Sequence, residues 1–332
     1  MGCKGAWREK TEQCIQGGLA SSERAGELYI PETRSLVRSC RLRCDAGRLC
    51  EPQWGMFARV SFWAGLNASS RSMHILRSLQ RKHPHWVFCG PSAALAYGLP
   101  VSASRLGETH VTLPSGERIS SHKRVRVHVA KLDKVMRALG LRVTSLQQTV
   151  MDCAREFDFC EALAVADAGL RHYAISRAEL LSFAEREGKG LWRIAQARRV
   201  LAYADGLSES WGESVARGLM IQLGFMVPEL QVVIDLPVEL GGPRRVDFLW
   251  RLSDGTIIIG EFDGKVKYRD QKMLRGRDTV DVLVDERQRE SRLTATGAAI
   301  VRFTYDDLRN PMQFAGLLDA YGVPRQRACL AA

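Results

Sequence analysis

Residues 244–268 read RRVDFLWRLSDGTIIIGEFDGKVKY, and the acids in this stretch are spaced as a metal site needs them. Asp247 lies on one apolar run, while Glu261 and Asp263, with Lys265 two residues beyond, end the next. Side chains two apart share a strand face, so Glu261, Asp263 and Lys265 point one way if the strand over 256–265 stays extended. Asp254-Gly255 is a hairpin signal between the two runs, and such a turn brings Asp247 beside the acidic end of the second strand. Hard carboxylate oxygens suit Mg²⁺ (or Mn²⁺), an ion that takes one or two carboxylates and keeps waters free for a substrate phosphate. The ion stabilises charge on the phosphate and acidifies an attacking water, and Lys265 adds a positive charge nearby. The expected set is therefore Asp247, Glu261 and Asp263 as metal ligands, Lys265 beside the phosphate, and hydrolysis of a phosphodiester as the chemistry. Solvated charges at a strand end and a plain Asp263-Gly264 turn are the competing explanation. Three carboxylates on strands as apolar as 257–259 are costly without a cation, which favours the metal.

The flanking elements that must position these residues follow from periodicity. Residues 210–225 predict a helix with Val215, Leu219 and Leu223 at helical spacing and Gly224 at its end. A strand over 229–236, a turn at Gly241-Gly242-Pro243 and the two acidic strands come next. A charged helix over 285–296, closed by Gly297, and a strand over 298–304 complete the order: helix, three strands, helix, strand.

This order with these residues resembles the PD-(D/E)xK nuclease superfamily, most closely the very-short-patch-repair-like endonuclease domains of actinobacterial proteins, over about 208–318. Glu213, Ser214 and Arg217 match the Glu-Ser-x-x-Arg setting of the opening helix. Asp247 matches the first metal-binding acid, and Glu261, with Asp263 beside it, the second. Arg287, Arg289, Arg292 and then Arg302 match a basic helix before a final strand. The resemblance implies that Glu213 orients water or metal, and that Arg217, Lys267, Arg289 and Arg292 meet nucleic acid; Arg289 and Arg292, three apart, can reach phosphate from one helix face. Two registers stay open. If Glu261 is the second acid, Asp263 replaces the family lysine; if Asp263 is the acid, Lys265 completes a D-G-K pattern. Ser210 and Glu213 also form a capping box, which by itself explains a glutamate there.

The rest of the chain is less explicit. Its 332 residues, 45% apolar, support two globular domains. A net charge of +11 favours a polyanionic partner without identifying it. Nine scattered cysteines, with no secretory signal and no long apolar span, predict reduced thiols in a cytoplasmic protein with no membrane segment. Residues 1–56 lack sustained periodicity and are expected to be weakly structured or mis-started. Helices are expected over 70–80 and 91–97, and alternating strands over 108–114 and 124–130 form a hairpin around Ser115-Gly116, with His110 and His128 placed to pair across it and neither assigned to a metal. Farther on, Phe159, Ala162, Leu163, Ala166 and Leu170 form one buried helical stripe, and Ser176 with Glu179 caps another helix.

The runs AALAYGLP, VTSLQQTVMDCAR and EALAVADAGLR resemble actinobacterial relatives of the AbiEi-type antitoxins, over about 74–171. That resemblance implies a phage-defence or toxin-antitoxin setting with a partner protein. The expected architecture is α/β in the broad sense (α+β overall): a mostly helical AbiEi-like domain with a β-hairpin over 57–205, a restriction-endonuclease-like αβββαβ core over 206–320, and a tail over 321–332. The expected function is a Mg²⁺-dependent DNA endonuclease, with a non-catalytic DNA-binding regulator as the alternative.

Overall fold

A computed structural model describes residues 2–113, 124–129, 134–235, 242–264 and 297–326. The chain is of the α+β class and divides into two compact units, 1–153 and 154–332.

In the first unit, α1 (Gly2–Ala25) and α2 (Arg34–Asp45) are followed by a hairpin of β1 (Leu49–Gln53) and β2 (Met56–Arg59). The expectation of weak structure over 1–56 is thus overturned. Its cause is the narrowness of the apolar stripe: Ile15 and Leu19, one turn apart, are the buried apolar residues of α1, and they meet Cys40, Leu49 and Phe57 in a small core of their own. Two buried apolar residues described on α1 and one, Cys40, on α2 are too few to register as periodicity. Next come α3 (Val60–Ala64), α4 (Ala68–Lys82), β3 (Val87–Phe88), α5 (Gly90–Ala96), β4 (Thr109–Leu113), β5 (Val125–Val129), β6 (Val135–Ala138) and β7 (Leu141–Thr144). The helices expected over 70–80 and 91–97 are α4 and α5.

These five strands form one sheet in the order β5-β4-β3-β7-β6. The pair β4 and β5 runs parallel, with His110 opposite Arg126 and Thr112 opposite His128. The expected hairpin is therefore corrected. Period-2 alternation fixes which residues share a face, but it is the same for parallel and antiparallel partners. A two-residue hairpin exists instead between β6 and β7, where Leu139 and Gly140 both take positive φ (47° and 82°), as a primed turn demands. Helix α6 (Leu146–Glu156) carries the chain across the division.

The second unit opens with α7 (Phe159–His172), α8 (Arg177–Glu187) and α9 (Ile194–Tyr203), and α8 begins with the capping box of Ser176 and Glu179. Helix α10 (Trp211–Gln222) then precedes β8 (Glu229–Ile234), β9 (Arg244–Arg251), β10 (Ile257–Asp263) and β11 (Ala299–Thr304), and the unit closes with α12 (Tyr305–Leu308) and α13 (Pro311–Ala320). The sheet order is β11-β10-β9-β8, antiparallel except for the parallel pair β10 and β11. A parallel neighbour needs a crossover between its strands, which is the topology expected from the helix-three-strands-helix-strand pattern; the helix expected over 285–296 lies outside the described residues. One sheet face, with Phe248, Trp250, Ile258, Val301 and Phe303, packs on Ala216, Leu219 and Met220 of α10 and on α13 through Phe314 and Leu318.

Helix α7 belongs with this unit rather than with the domain expected to end at 205. Asp167 on α7 and Arg217 on α10, 1% and 2% exposed, make a two-pronged ion pair with both oxygens 2.8 Å from Nη2. The guanidinium also donates to the Tyr203 carbonyl at 2.7 Å, and Asp167 accepts from the Asp205 amide at 2.8 Å. Gly218 lets the two helices touch, since a Cβ there would meet the Cys160 backbone at 3.0 Å.

Candidate active site

The site grows from the turn between β9 and β10. Gly255 takes φ 88°, its amide donates to the Leu252 carbonyl, and the Thr256 amide donates to Asp254. This tight reversal sets the register Ile257 opposite Arg251 through Gly260 opposite Phe248. One further step along the same register brings Glu261 level with Asp247. There the ladder changes: the Phe262 amide donates to the Asp247 carboxylate at 3.0 Å, so a side chain takes over from the partner backbone. The first expected acid is thus anchored to the strand that carries the second.

Helix α10 delivers Glu213 to the same place. Ser210 caps the helix by accepting from the Glu213 amide and donating to its carboxylate at 2.8 Å, and the Glu209 amide donates to the other oxygen at 2.8 Å. The capping explanation for Glu213 therefore holds. It is not the whole of its role, because Glu213 is 8% exposed and has a partner that no cap requires. The Gln231 amide nitrogen donates to Glu213 at 3.0 Å and reaches Asp247 at 3.4 Å, standing between the two carboxylates. Burial pushes the Glu213 carboxyl above its ordinary value of 4.5; its hydrogen bonds to Glu209, Ser210 and Gln231 pull the other way, and the negative charge of Asp247 adds to the rise.

Gln231 went unrecognised in the sequence, where LQVVI reads as ordinary strand alternation. It occupies the middle of β8, directly across from Asp247 in the β8–β9 register, yet has φ 50°. A left-handed residue inside a strand is costly for a side chain with a Cβ, and the amide it presents to both acids is what that conformation supplies.

Of the expected site residues, Glu213 and Asp247 are brought together, while Glu261 and Asp263 are half-buried at the end of β10, level with Arg302 and Thr304 of β11. Among the described residues, no three of these four carboxylates offer oxygens all within 4.8 Å of one another. Arg217 is corrected: buried against Asp167, its guanidinium cannot meet nucleic acid. Burial raises the Asp167 carboxyl, the guanidinium beside it opposes that rise, and the pair ties α7 to α10. Lys265, Lys267, Arg287, Arg289 and Arg292 lie outside the described residues.

The donor set is all oxygen. Two neighbouring carboxylates, one buried and one half-buried, share a single amide hydrogen donor, an arrangement that a hard divalent cation would satisfy better than an amide does.

No family model matches the chain. Two proteins of Mycobacterium tuberculosis, uncharacterized protein Rv2248 (strain ATCC 25618 / H37Rv) and uncharacterized protein MT2308 (strain CDC 1551 / Oshkosh), are each 35% identical to it over 167 residues. That stretch is 50% of this chain and 59% of each relative. Among the described residues, no helix is long and apolar enough to cross a membrane.

Proposed function

We propose that the chain is a Mg²⁺- or Mn²⁺-dependent DNA endonuclease. The observation that carries this reading is the buried Glu213 sharing one amide with Asp247, on the strand pair whose other member ends in Glu261 and Asp263. Glu213 and Asp247 would hold the ion, and Glu261 and Asp263, at the end of β10, would reach it through the waters that Mg²⁺ keeps. Bound there, it would polarise the scissile phosphate and lower the pKa of a water. The chain's own part is positioning. Asp247 is fixed by the Phe262 amide on one oxygen, so the other, which faces the Gln231 amide, keeps one direction. Glu213, whose proton affinity is raised by burial, would share the ion with Asp247 and orient the water it activates. Lys265, two residues past Asp263, is assigned to the phosphate on sequence alone. The compartment is proposed to be the cytoplasm, and the setting a phage-defence or toxin-antitoxin system with a partner protein, both resting on composition and resemblance.

Metal-dependent cleavage of supercoiled plasmid by the purified chain tests this. Cutting should require Mg²⁺ or Mn²⁺, and Asp247→Ala or Glu261→Ala should each reduce it by at least about a hundredfold, the size of a lost ligand that contributes several kcal/mol to the transition state. Cutting that survives both substitutions rejects the assigned site.

A second reading, a non-catalytic DNA-binding regulator, is favoured by a different observation. Arg34 and Arg38 are exposed one turn apart on α2, and Arg41 lies 4.3 Å over the ring of Trp54, 60% exposed at the tip of the following hairpin. A basic helix beside an aromatic hairpin tip suits a DNA groove and its flanking phosphates. Salt-sensitive DNA binding without cleavage in either metal would favour it over the nuclease.

A further inference from the structure

We propose that His110 and His128, with Thr112 beside them, form a second metal site, selective for an imidazole-binding transition metal such as Zn²⁺. The two histidines stand on the adjacent parallel strands β4 and β5. Nδ1 of His110 lies 3.0 Å from Nε2 of His128, with the rings stacked at a centroid distance of 5.1 Å. Two nitrogens bound to one tetrahedral ion, each at about 2.0–2.1 Å, sit about 3.4 Å apart, so the pair needs to open by only a few tenths of an ångström. The position is built rather than incidental. The His110 side chain is 5% exposed and its backbone amide is held by Ser92 at 2.8 Å.

Thr112 supplies an independent observation. It is two residues from His110, on the same strand face, and directly opposite His128 in register. It is 1% exposed, and among the described residues its hydroxyl oxygen has no hydrogen-bond partner. An orphaned hydroxyl in a buried position is costly, and a metal or its bound water would satisfy it.

A metal ligand must be a neutral imidazole, and the hydrogen bond between the two rings leaves one nitrogen of the pair as a lone pair already. In the unliganded pair one nitrogen donates its hydrogen to the other. On binding, His128 carries its hydrogen on Nδ1 and presents Nε2 as a lone pair, so a neutral pair binds metal without net proton release. Imidazoles select Zn²⁺, Ni²⁺ or Cu²⁺ over Mg²⁺, and Arg126, opposite His110, repels a weakly held hard cation. The site is therefore chemically distinct from the carboxylate pair around Asp247.

Titration of the full chain with Co²⁺ in excess Mg²⁺, followed by visible d–d absorption, tests the assignment. One equivalent should develop ligand-field bands without thiolate-to-metal charge transfer, and Zn²⁺ should displace it. His128→Ala and His128→Asn should each weaken Co²⁺ affinity at least tenfold, while the exposed His172→Ala leaves it unchanged. His128 is only part-buried, and unchanged circular dichroism of its two variants secures the comparison. Absence of the bands, equal affinity in the His128 variants, or a charge-transfer band from cysteine overturns the site.

Discussion

Glu213 concentrates the residue-scale chemistry. A carboxyl whose folded pKa is raised favours folding when protonated. Its contribution is complete below the unfolded value and is lost as pH rises through the higher folded value. The metal-free protein should therefore lose stability as pH rises from about the ordinary 4.5 upward, and Glu213→Gln should flatten that loss, a difference visible in denaturant midpoints taken across the range. A divalent ion reverses the sign, since it binds the deprotonated carboxylate. The rise in melting temperature produced by Mg²⁺ in the parent chain should grow over the same interval and vanish in Glu213→Gln. If Mg²⁺ stabilises the variant as much as the parent, Glu213 is a cap and nothing more. Gln231 adds a second residue-scale expectation. Gln231→Gly relieves a left-handed backbone that costs about 1–3 kcal/mol, yet it removes the one amide between two acids. Mg²⁺-free stability near neutral pH should thus change little, while Mg²⁺ should stabilise this variant more than the parent in parallel melts, because the cation no longer competes with an amide.

At the scale of elements, the helix and the strand that hold the site meet at Gly212. A Cβ there would overlap the Phe262 ring, and the Phe262 amide is the group that fixes Asp247. Gly212→Ala gains helix propensity of about 1 kcal/mol but overpacks this contact at a cost of about 1–3 kcal/mol. A net loss in denaturant stability together with weakened Mg²⁺ binding is expected, whereas a gain in both would show the contact to be slack. The elements also mark what a sequence can disclose. The β9–β10 hairpin was legible because Ser253-Asp254-Gly255 stands between alternating apolar runs and no other turn fits. Of the stripe Phe159, Ala162, Leu163, Ala166 and Leu170, the first four are buried at helical spacing and Leu170, at the end of the helix, is half-buried. The parallel pairing of β4 with β5 was not legible, because alternation carries no strand direction. Nor was Gln231, since a left-handed residue other than glycine leaves no compositional trace. Arg217 misled for a third reason. A positive residue beside a glutamate on a helix reads as a contact to phosphate, and its partner, Asp167, lies fifty residues earlier in a mostly apolar stretch of another helix.

That buried pair also decides how the second unit behaves as a whole. Asp167 and Arg217 join α7 to α10 within the second unit, across the boundary expected at 205. Removing one partner leaves the other charge buried and unpaired, which costs about 3–5 kcal/mol. Replacing both with apolar residues of similar volume removes that penalty. Asp167→Asn and Arg217→Met should each destabilise strongly, and Asp167→Leu combined with Arg217→Met should recover most of the loss; a double-mutant cycle by urea denaturation measures the coupling. The same experiment separates architecture from nucleic-acid contact. If Arg217 touched DNA, the stable double variant would bind it with a salt dependence reduced by about 0.9 in log–log slope. Since the guanidinium is 2% exposed, the slope should be unchanged, while reversal of the exposed pair Arg34 and Arg38 to glutamate should lower it by about two such steps if α2 faces the phosphates. An altered slope in the double variant with an unaltered slope in the α2 variant would invert the assignment of which basic residues this positively charged chain offers to a polyanion.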